Sequence, residues 1–403
     1  MATLFLPEHI ILQILIWLPV RSLLRFKSVC TSWYALIQSP YFIKHHATTT
    51  TTVDDNNSKL GGTFICQHQR KLAFYLLSDK CLKEVEDLFE RLCVLSEYQM
   101  TYRRAIRMVG CVHGIICMHN NVTGDIGLWN PATRQCRLLP KSLDLELELN
   151  PMGWYSPHSF VGLCFDIETN EYKVIRVSTF DRPYVENPYA SVNSLRKVQI
   201  YCLGSDSWKL IDSDFHTNCY RLEGQGAGKS WNGFYFHQGV DHTVDPIKPV
   251  ILSFDLRKEK YQRLVPIPEK DNWLQLESID DKLACITYPM DHDILIYKVW
   301  MLNDCNTTNE LWTELYRIDF MSPDIQTRYD GFCSRILAIS WNGKFGLLDN
   351  ETLSCYNSII DEIVDLSFGE GIKLDLRSLQ ATIYKESLVS VDASHSTTKA
   401  ISS

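Results

Sequence analysis

A short strand, a tight polar turn and a second strand recur along most of this chain at a nearly constant spacing. The turns of the five copies begin at positions 130, 203, 255, 302 and 349, which gives steps of 73, 52, 47 and 47 residues. The first step is longer because residues 181–196 form an apparent insertion. A repeat of this length with several short strands is typical of a β-propeller and not of a helical solenoid. The sequence therefore predicts a mainly β fold.

A propeller closes on itself, so the first and last strands of the repeat region have to share a sheet. The β-like segments 63–76 and 381–391 are the candidates, because neither belongs to an internal copy. Five internal copies and one composite sheet favour six blades, with seven blades as the alternative.

The N-terminal region differs in composition from the repeats. Between positions 6 and 37, 20 of 32 residues are apolar, against 45% of the whole chain. Pro7 and Glu8 are typical of a helix start, and apolar residues follow at helical spacing until Pro19. Two further helical stretches end before Pro40. This region is therefore predicted to form three short helices.

Three short helices cannot enclose so many apolar side chains. A unit of about 45 residues without a metal or a disulfide lies near the lower limit of independent stability. Its surplus apolar surface must contact the rest of the chain or another protein. We divide the chain into a helical module (1–46), a polar linker (47–62), a β-propeller (63–393) and a polar tail (394–403).

The charge, the cysteine spacing and the lengths of the apolar runs exclude several classes of protein. The formal net charge is −8, so bulk electrostatics would repel nucleic acid. The 14 cysteines include no CxxC pair, which excludes zinc-ribbon spacing. No basic segment precedes the apolar run 10–18, and no apolar run is long enough to cross a bilayer, so we expect neither a signal peptide nor membrane binding. Reduced thiols predict a protein of the cytoplasm and/or nucleus.

Two motifs could carry chemistry, and neither predicts an active site. The stretch 223–230 ends in Gly-Lys-Ser like a phosphate-binding loop, but Glu223 occupies the position of the first required glycine. Four possible metal ligands lie within nine residues: Cys111, His113, Cys117 and His119. Strand alternation makes a metal site conceivable, whereas packing of small cysteines in a hairpin core is the expected alternative. We predict no catalytic residue, no cofactor and no bound metal.

Five short motifs follow one another in the N-terminal region: Leu6-Pro7, Ile14-Leu15-x-x-Leu18-Pro19, Arg21-Ser22-Leu23-x-Arg25-Phe26, Val29-Cys30-x-x-Trp33 and Leu36-Ile37-x-Ser39-Pro40-x-Phe42. In order and spacing they closely resemble an F-box. The resemblance implies docking on a Skp-type adaptor, and through it on the cullin and RING subunits of an SCF-type ubiquitin ligase. The implied docking and core residues are Leu6, Pro7, Ile14, Leu15, Leu18, Pro19, Leu23, Val29, Cys30 and Trp33. Which of these face the adaptor stays open.

The repeat region carries five further landmarks: 110–117, 129–133, 162–166, 172–176 and 384–389. They resemble the plant F-box-associated domain, also called kelch-like, of the S-locus F-box-like superfamily. The resemblance implies a non-catalytic receptor subunit whose propeller binds a target protein for ubiquitination and degradation. The alternative is an F-box scaffold, or a ligand-binding propeller, that acts outside a ligase.

Variable connections of the propeller are where we expect a target protein to bind. Aromatic residues on exposed loops are frequent hot spots, and four lie within 141–159 and 181–197: Trp154, Tyr155, Tyr184 and Tyr189. Partial burial of these rings within the loops is the alternative. The acidic residues within 144–148 favour a basic partner, although alternating Leu and acid also fits a strand with one solvated face. Some members of the family recognise S-locus ribonucleases, which makes such a ribonuclease one candidate target.

Overall fold

The computed structural model describes the chain in segments. These are residues 7–49, 63–68, 73–78, 81–84, 106–121, 123–143, 155–181, 194–211, 220–221, 228–241, 248–265, 267–269, 272–279, 282–289, 296–303, 311–319, 335–339, 344–348, 353–357, 362–365 and 379–392. No helix within these segments has the length and hydropathy needed to cross a membrane.

Four α-helices form the N-terminal module: α1 (Glu8–Leu15), α2 (Val20–Phe26), α3 (Thr31–Gln38) and α4 (Pro40–Thr49). The prediction of three helices is therefore wrong, and α4 extends beyond position 46, where the module was expected to end. Ser39 is extended (φ −65°, ψ 140°), as residues before proline usually are, so α3 stops there. Its Oγ accepts a hydrogen bond from the backbone N–H of Phe42 at 3.1 Å, and Pro40 opens the next helix. The dipeptide that ends one helix thus begins another.

β-Strands make up most of the remaining described chain. In chain order they are β1 (Thr63–His68), β2 (Ala73–Ser78), β3 (Cys81–Glu84), β4 (Ile106–Val112), β5 (Ile115–Asn120), β6 (Ile126–Asn130), β7 (Gln135–Leu138), β8 (Tyr155–Asp166), β9 (Glu171–Asp181), β10 (Ser194–Cys202), β11 (Ser207–Ile211), β12 (Tyr220–Arg221), β13 (Lys229–Trp231), β14 (Phe234–Asp241), β15 (Lys248–Asp255), β16 (Lys260–Val265), β17 (Asn272–Ile279), β18 (Lys282–Pro289), β19 (Ile296–Leu302), β20 (Trp312–Asp319), β21 (Arg335–Ile339), β22 (Lys344–Leu348), β23 (Leu353–Asn357), β24 (Glu362–Asp365) and β25 (Leu379–Tyr384).

The described strands form six antiparallel sheets. Five of them consist of consecutive strands: β4–β7, β8–β11, β12–β16, β17–β20 and β21–β24. The sixth joins the two ends of the repeat region, because β25 pairs with β1 and places Thr63 opposite Tyr384. The composite sheet predicted from the segments 63–76 and 381–391 is thereby confirmed, with its last strand ending at Tyr384.

The innermost strands of successive sheets contact each other in a ring, in the order β4, β8, β13, β17, β21, β25 and β4 again. Apolar clusters fill the spaces between neighbouring sheets. One of them joins Ile115 and Leu128 of the β4–β7 sheet to Val161 and Leu163 of the β8–β11 sheet. The predicted architecture, a helical module followed by a mainly β propeller, is confirmed at this level.

Two of the recurring turns share a local chemical cause with the turn between β8 and β9. In three turns the side-chain oxygen of the preceding residue accepts hydrogen bonds from two backbone N–H groups, and these residues are Asn130, Asp166 and Asp255. The fourth residue of each turn adopts a left-handed backbone with φ between 51° and 57°, and these are Arg134, Asn170 and Glu259. Asn and Asp favour such turns because their side chains replace backbone acceptors. The pattern is therefore visible in the sequence.

Four of the five predicted copies mark the same place in their sheets. The turns at positions 130, 203, 255 and 302 each lead from the last strand but one of a sheet to its last strand. The copy at position 349 was placed wrongly by one strand, because it follows β22, the second strand of its sheet. β22 and β23 are both short strands. A short apolar run before a polar turn does not indicate whether the run is the second or the third strand of its sheet.

Tight turns share one side of the ring, which we call the tight-turn face. It carries residues 113–114, 131–134, 167–170, 203–206 and 256–259. On the opposite side β8 begins at Tyr155, β9 ends at Asp181 and β10 begins at Ser194. Antiparallel strands alternate in direction, which places these two sets of strand ends on opposite sides. We call the second side the long-connection face.

Candidate functional site

The helical module has an apolar core of its own. Its buried members on the helices are Leu15, Val20, Leu23, Ile37 and Phe42. Partly buried side chains surround them, and Trp33 meets Phe26 edge-on with ring centroids 5.4 Å apart. This core accounts for only part of the apolar residues of the module.

Large apolar side chains of the same module also face solvent. Ile14, Trp17, Val29, Tyr34 and Tyr41 are each between 48% and 59% exposed, and we call them the exposed apolar set. Five of the nine large apolar side chains exposed in the described part of the chain belong to this small module. Apolar exposure concentrated in this way is typical of a surface that binds another protein.

The structure separates the residues that the F-box resemblance implies. Those at the surface are Pro7, Ile14, Pro19, Val29 and Cys30. Those in or against the core are Leu15, Leu18, Leu23 and Trp33. Leu6 lies outside the described residues. The surface group remains a set of candidates for docking, whereas the second group is placed to hold the helices together.

Ile14 and Leu15 illustrate how neighbouring apolar residues divide between two surfaces. Leu15 is 1% exposed and packs in the core. Ile14 of α1 and Trp17, which follows the end of α1, are three positions apart and both face solvent. Trp17, Tyr34 and Tyr41 are docking candidates that the F-box motifs do not contain. The signal for such residues was the excess of apolar positions, because a helix that is apolar on most sides has to bury more than one face.

Cys30 precedes the first residue of α3 and is exposed. Its Sγ lies 3.1 Å from Ser32 Oγ. Hydrogen bonds from the Ser32 side chain and the backbone N–H of Trp33 lower the pKa of the Cys30 thiol. An exposed thiol at a helix N-terminus ionises more readily than a buried one. The exposed part of the module thus includes a reactive group beside Val29.

Of the predicted target-binding residues, the structure describes the backbone of Tyr155, which lies on the long-connection face. Tyr155 is the first residue of β8 and pairs with Asp181, the last residue of β9. Trp154, Tyr184 and Tyr189 lie outside the described residues. The chain reaches their two connections after Leu143 and after Asp181, which places the described ends of both connections on this face.

The metal ligands considered for the first internal hairpin do not come together. Cys111 pairs with Ile116 and packs against the apolar cluster on the same side of the sheet, whereas Cys117 lies in the cluster on the other side. His113 lies on the turn, where its Nδ1 is 3.0 Å from the hydroxyl of Tyr172. Among the residues that the structure describes, no group of three or more His, Cys, Asp or Glu side chains is placed to hold a metal.

The described end of the Gly-rich stretch 223–230 begins a strand. Residues Lys229–Trp231 form β13 and pair with β14. A phosphate-binding loop leads into a helix, which positions backbone N–H groups toward the phosphates. A nucleotide site would require a helix after this stretch, whereas a β-strand is observed.

Comparison with known proteins matches both regions of the chain. Residues 63–354 match the family described as F-box associated beta propeller domain, and residues 4–45 match the F-box domain. The chain is 26% identical to the F-box protein CPR1 of Arabidopsis thaliana over 93% of this chain and 91% of that protein. It is also 29% identical to a second Arabidopsis F-box protein over 76% of this chain and 77% of that one. An F-box/kelch-repeat protein of the same plant is 30% identical over 64% of this chain and 65% of its own length.

Proposed function

We propose that this chain, which belongs to the F-box-associated β-propeller family and carries an F-box, is the substrate-recognition subunit of an SCF-type ubiquitin ligase. The observation that carries the proposal is the exposed apolar set of the helical module. These side chains need a partner, and in this family the partner of an F-box is a Skp-type adaptor. The adaptor connects the chain to the cullin and RING subunits.

The chain acts in this proposal without chemistry of its own. Holding a target lysine close to a charged ubiquitin-conjugating enzyme raises the effective concentration of the two reactants. The propeller supplies a stable frame for the variable connections that bind the target. We take each of the six sheets as one blade, since their innermost strands contact one another in a closed ring.

Target binding is assigned to the long-connection face. The helical module contacts Ala132, which lies on the tight-turn face, so adaptor and target approach opposite sides of the ring. This separation allows both partners to bind at once. The target is a protein, the acidic residues within 144–148 favour a basic one, and an S-locus ribonuclease is a candidate. Exchange of residues 144–154 and 182–193 for those of a relative tests whether these connections select the target.

The adaptor interface is tested with the full chain and a purified plant Skp-type adaptor. A double Ile14→Asp, Val29→Asp variant should lose about 30-fold or more in affinity, because charges replace two exposed apolar anchors. Gln13→Asp is the control for the charge added on α1, since Gln13 is exposed beside Ile14 and its substitution adds the same single charge as Ile14→Asp. Isothermal titration calorimetry measures the dissociation constants. Equal affinity of wild type and double variant, or failure of the wild type to bind, would overturn the proposal.

One further outcome distinguishes the ligase subunit from a scaffold. Adaptor binding without recruitment of cullin in a reconstituted mixture would favour an F-box scaffold that acts outside a ligase.

We propose that the protein is located in the cytoplasm and/or nucleus. All seven cysteines whose side chains the structure describes are free thiols, which supports a reducing compartment.

A further inference from the structure

Residues 385–392 follow β25 without regular secondary structure, and we call them the C-terminal strap. Leu388 of the strap is 5% exposed. Its side chain belongs to the same apolar cluster as Leu15, Val20 and Leu23 of the helical module. A residue close to the end of the propeller sequence thus completes the core of the N-terminal module.

The strap is also fixed to the β4–β7 sheet. Asn130 Nδ2 donates hydrogen bonds to the backbone oxygens of Ser387 at 3.1 Å and Val389 at 2.7 Å. Val391 is fully buried in the apolar cluster between this sheet and its neighbour. A Cβ atom at Gly114 would lie 2.6 Å from the backbone oxygen of Lys385, so the turn and the strap are in close contact.

Two direct contacts complete the junction. The Glu386 carboxylate interacts with the backbone N–H of Val20, the first residue of α2. Ala132, on the turn between β6 and β7, packs against the apolar cluster of the helical module. The strap therefore contacts the module on one side and the β4–β7 sheet on the other.

We propose that the C-terminal strap is a positioning device that fixes the orientation of the F-box relative to the propeller. Without it, the two modules would be joined by the covalent connection through residues 50–62 and by the side-chain contact of Ala132 alone. A tether alone spreads the distance between bound adaptor and bound target over many values, which lowers their effective concentration. Leu388 and Glu386 are the positioning residues. The consequence for ubiquitin transfer rests on the function proposed above, whereas the geometry does not.

The geometry is tested in the full-length chain by single-molecule energy transfer. Dyes are attached through unnatural amino acids at positions 44 and 282, both of which are exposed. Wild type should give one narrow distance distribution, and a Glu386→Ala, Leu388→Ala double variant should give a broader one. Lys385→Ala is the matched control, because its side chain is exposed in the same strap. A single Leu388→Met variant, which keeps an apolar side chain of similar size at this position, should give the narrow distribution of the wild type.

A second variant protects the test against loss of folding. Asn130→Ser keeps a neutral side-chain oxygen that can accept from the turn, but the shorter side chain no longer donates to the strap. It should broaden the distribution while the thermal unfolding of the propeller stays within a few degrees. An unchanged distribution in both strap variants, with both modules folded, would overturn the proposal.

Reconstituted self-ubiquitination supplies a functional measurement that needs no target. Mass spectrometry maps the lysines of this chain that are modified in the presence of adaptor, cullin, RING subunit and conjugating enzyme. The strap variants should bind the adaptor within about twofold of wild type but modify a wider set of lysines. Normal adaptor binding with an unchanged set of lysines contradicts the strap and leaves the ligase function intact. Absence of adaptor binding in the wild type contradicts the ligase function and leaves the distance measurement valid.

Discussion

Tyr235 occupies the space that a side chain at position 162 would need. Gly162 belongs to β8 and Tyr235 to β14, so the two residues meet between neighbouring sheets. A Cβ atom at Gly162 would overlap the tyrosine hydroxyl, and one at Gly228 would lie 2.6 Å from it. The ring of Tyr235 is fully buried. This tyrosine therefore fits between two sheets only because two glycines leave room for it.

A Gly162→Ala substitution should destabilise the propeller. Alanine is normally the better residue in a strand, but here the added methyl group overlaps a buried ring, so we expect a loss of about 1–3 kcal/mol from overpacking. Urea unfolding of the purified chain measures it. Tyr235→Leu in the same chain should recover part of the loss, because it removes the overlapping ring atoms.

Gly233→Ala is the control for this substitution. A Cβ atom at Gly233 meets nothing within 4 Å, but the residue has φ +77°. Its cost of about 1 kcal/mol should therefore come from the backbone alone and should be insensitive to Tyr235→Leu. If Tyr235→Leu recovered both glycine variants equally, steric overlap at position 162 would not be the cause.

The sequence was sufficient for features with a local cause. The turns after Asn130 and Asp255 were recognisable because their side chains hydrogen-bond within the turn itself. The position of Asp349 was misjudged because a polar turn does not say which strand precedes it. The fourth helix was missed for a similar reason, since Ser39 and Pro40 are compatible with both an end and a beginning.

Features that depend on distant contacts could not be predicted from the sequence. Ile14 and Leu15 are both apolar and adjacent, and helical spacing allows either one to face the core. Their division depends on how the helices pack and on Leu388, which lies far along the chain and completes the same core. The likeness to an F-box identified the docking region but could not separate its surface from its interior.

Leu23→Ala should open the helical module, whereas Val29→Ala should not. Leu23 is fully buried, so its truncation leaves a cavity and should cost about 2–5 kcal/mol. Val29 is exposed and should change stability by less than about 0.5 kcal/mol. The rate of tryptic cleavage after Arg25 in α2 and after Lys27, which follows that helix, reports opening of the module. Equal cleavage rates in the two variants would show that Leu23 does not hold the helices together.

Lys173 and Asp166 form a buried ion pair whose nitrogen and oxygen are 2.8 Å apart. Lys173 also donates to the backbone oxygen of Leu256 in the next sheet at 3.4 Å. Lys173→Met leaves the carboxylate buried without its counter-ion, so we expect a loss of about 3–5 kcal/mol in urea unfolding. Adding Asp166→Asn keeps the turn acceptor and removes the uncompensated charge, which should recover much of the loss. Strictly additive single and double variants would contradict this coupling.

His119 should make the propeller less stable in mild acid. Burial, reinforced by the positive charges of Arg176 and Arg107, lowers the pKa of His119 from 6.5 to about 3. The unfolded chain therefore binds a proton at His119 near pH 6.5, whereas the folded chain does not bind it until the pH approaches 3. The free energy of unfolding falls as the pH drops from 6.5 toward 3. At pH 5 the loss from this residue should be about 2 kcal/mol relative to neutral pH.

The measurement is the urea midpoint of wild type and His119→Gln at pH 5 and pH 7.5. The variant should lose this part of the pH dependence, whatever its stability at neutral pH. His9→Gln provides the control, because His9 is exposed on α1. A pH dependence that is the same in wild type and His119→Gln would show that another group causes the acid sensitivity.

Cys30 should react with iodoacetamide far faster than the buried cysteines of the native chain. Hydrogen bonds from Ser32 and the backbone lower its pKa, whereas burial raises the pKa of the thiols of Cys117, Cys164 and Cys285. Thiolates are the reactive species, so exposure and ionisation act in the same direction. Peptide mapping after brief alkylation at pH 7.5 measures the difference in rate.

Cys30 lies beside Val29 on the surface assigned to the adaptor. A bound Skp-type adaptor should therefore slow the alkylation of Cys30 at least about tenfold. If alkylation of Cys30 were not slowed in a stable complex, the adaptor would bind elsewhere on the module.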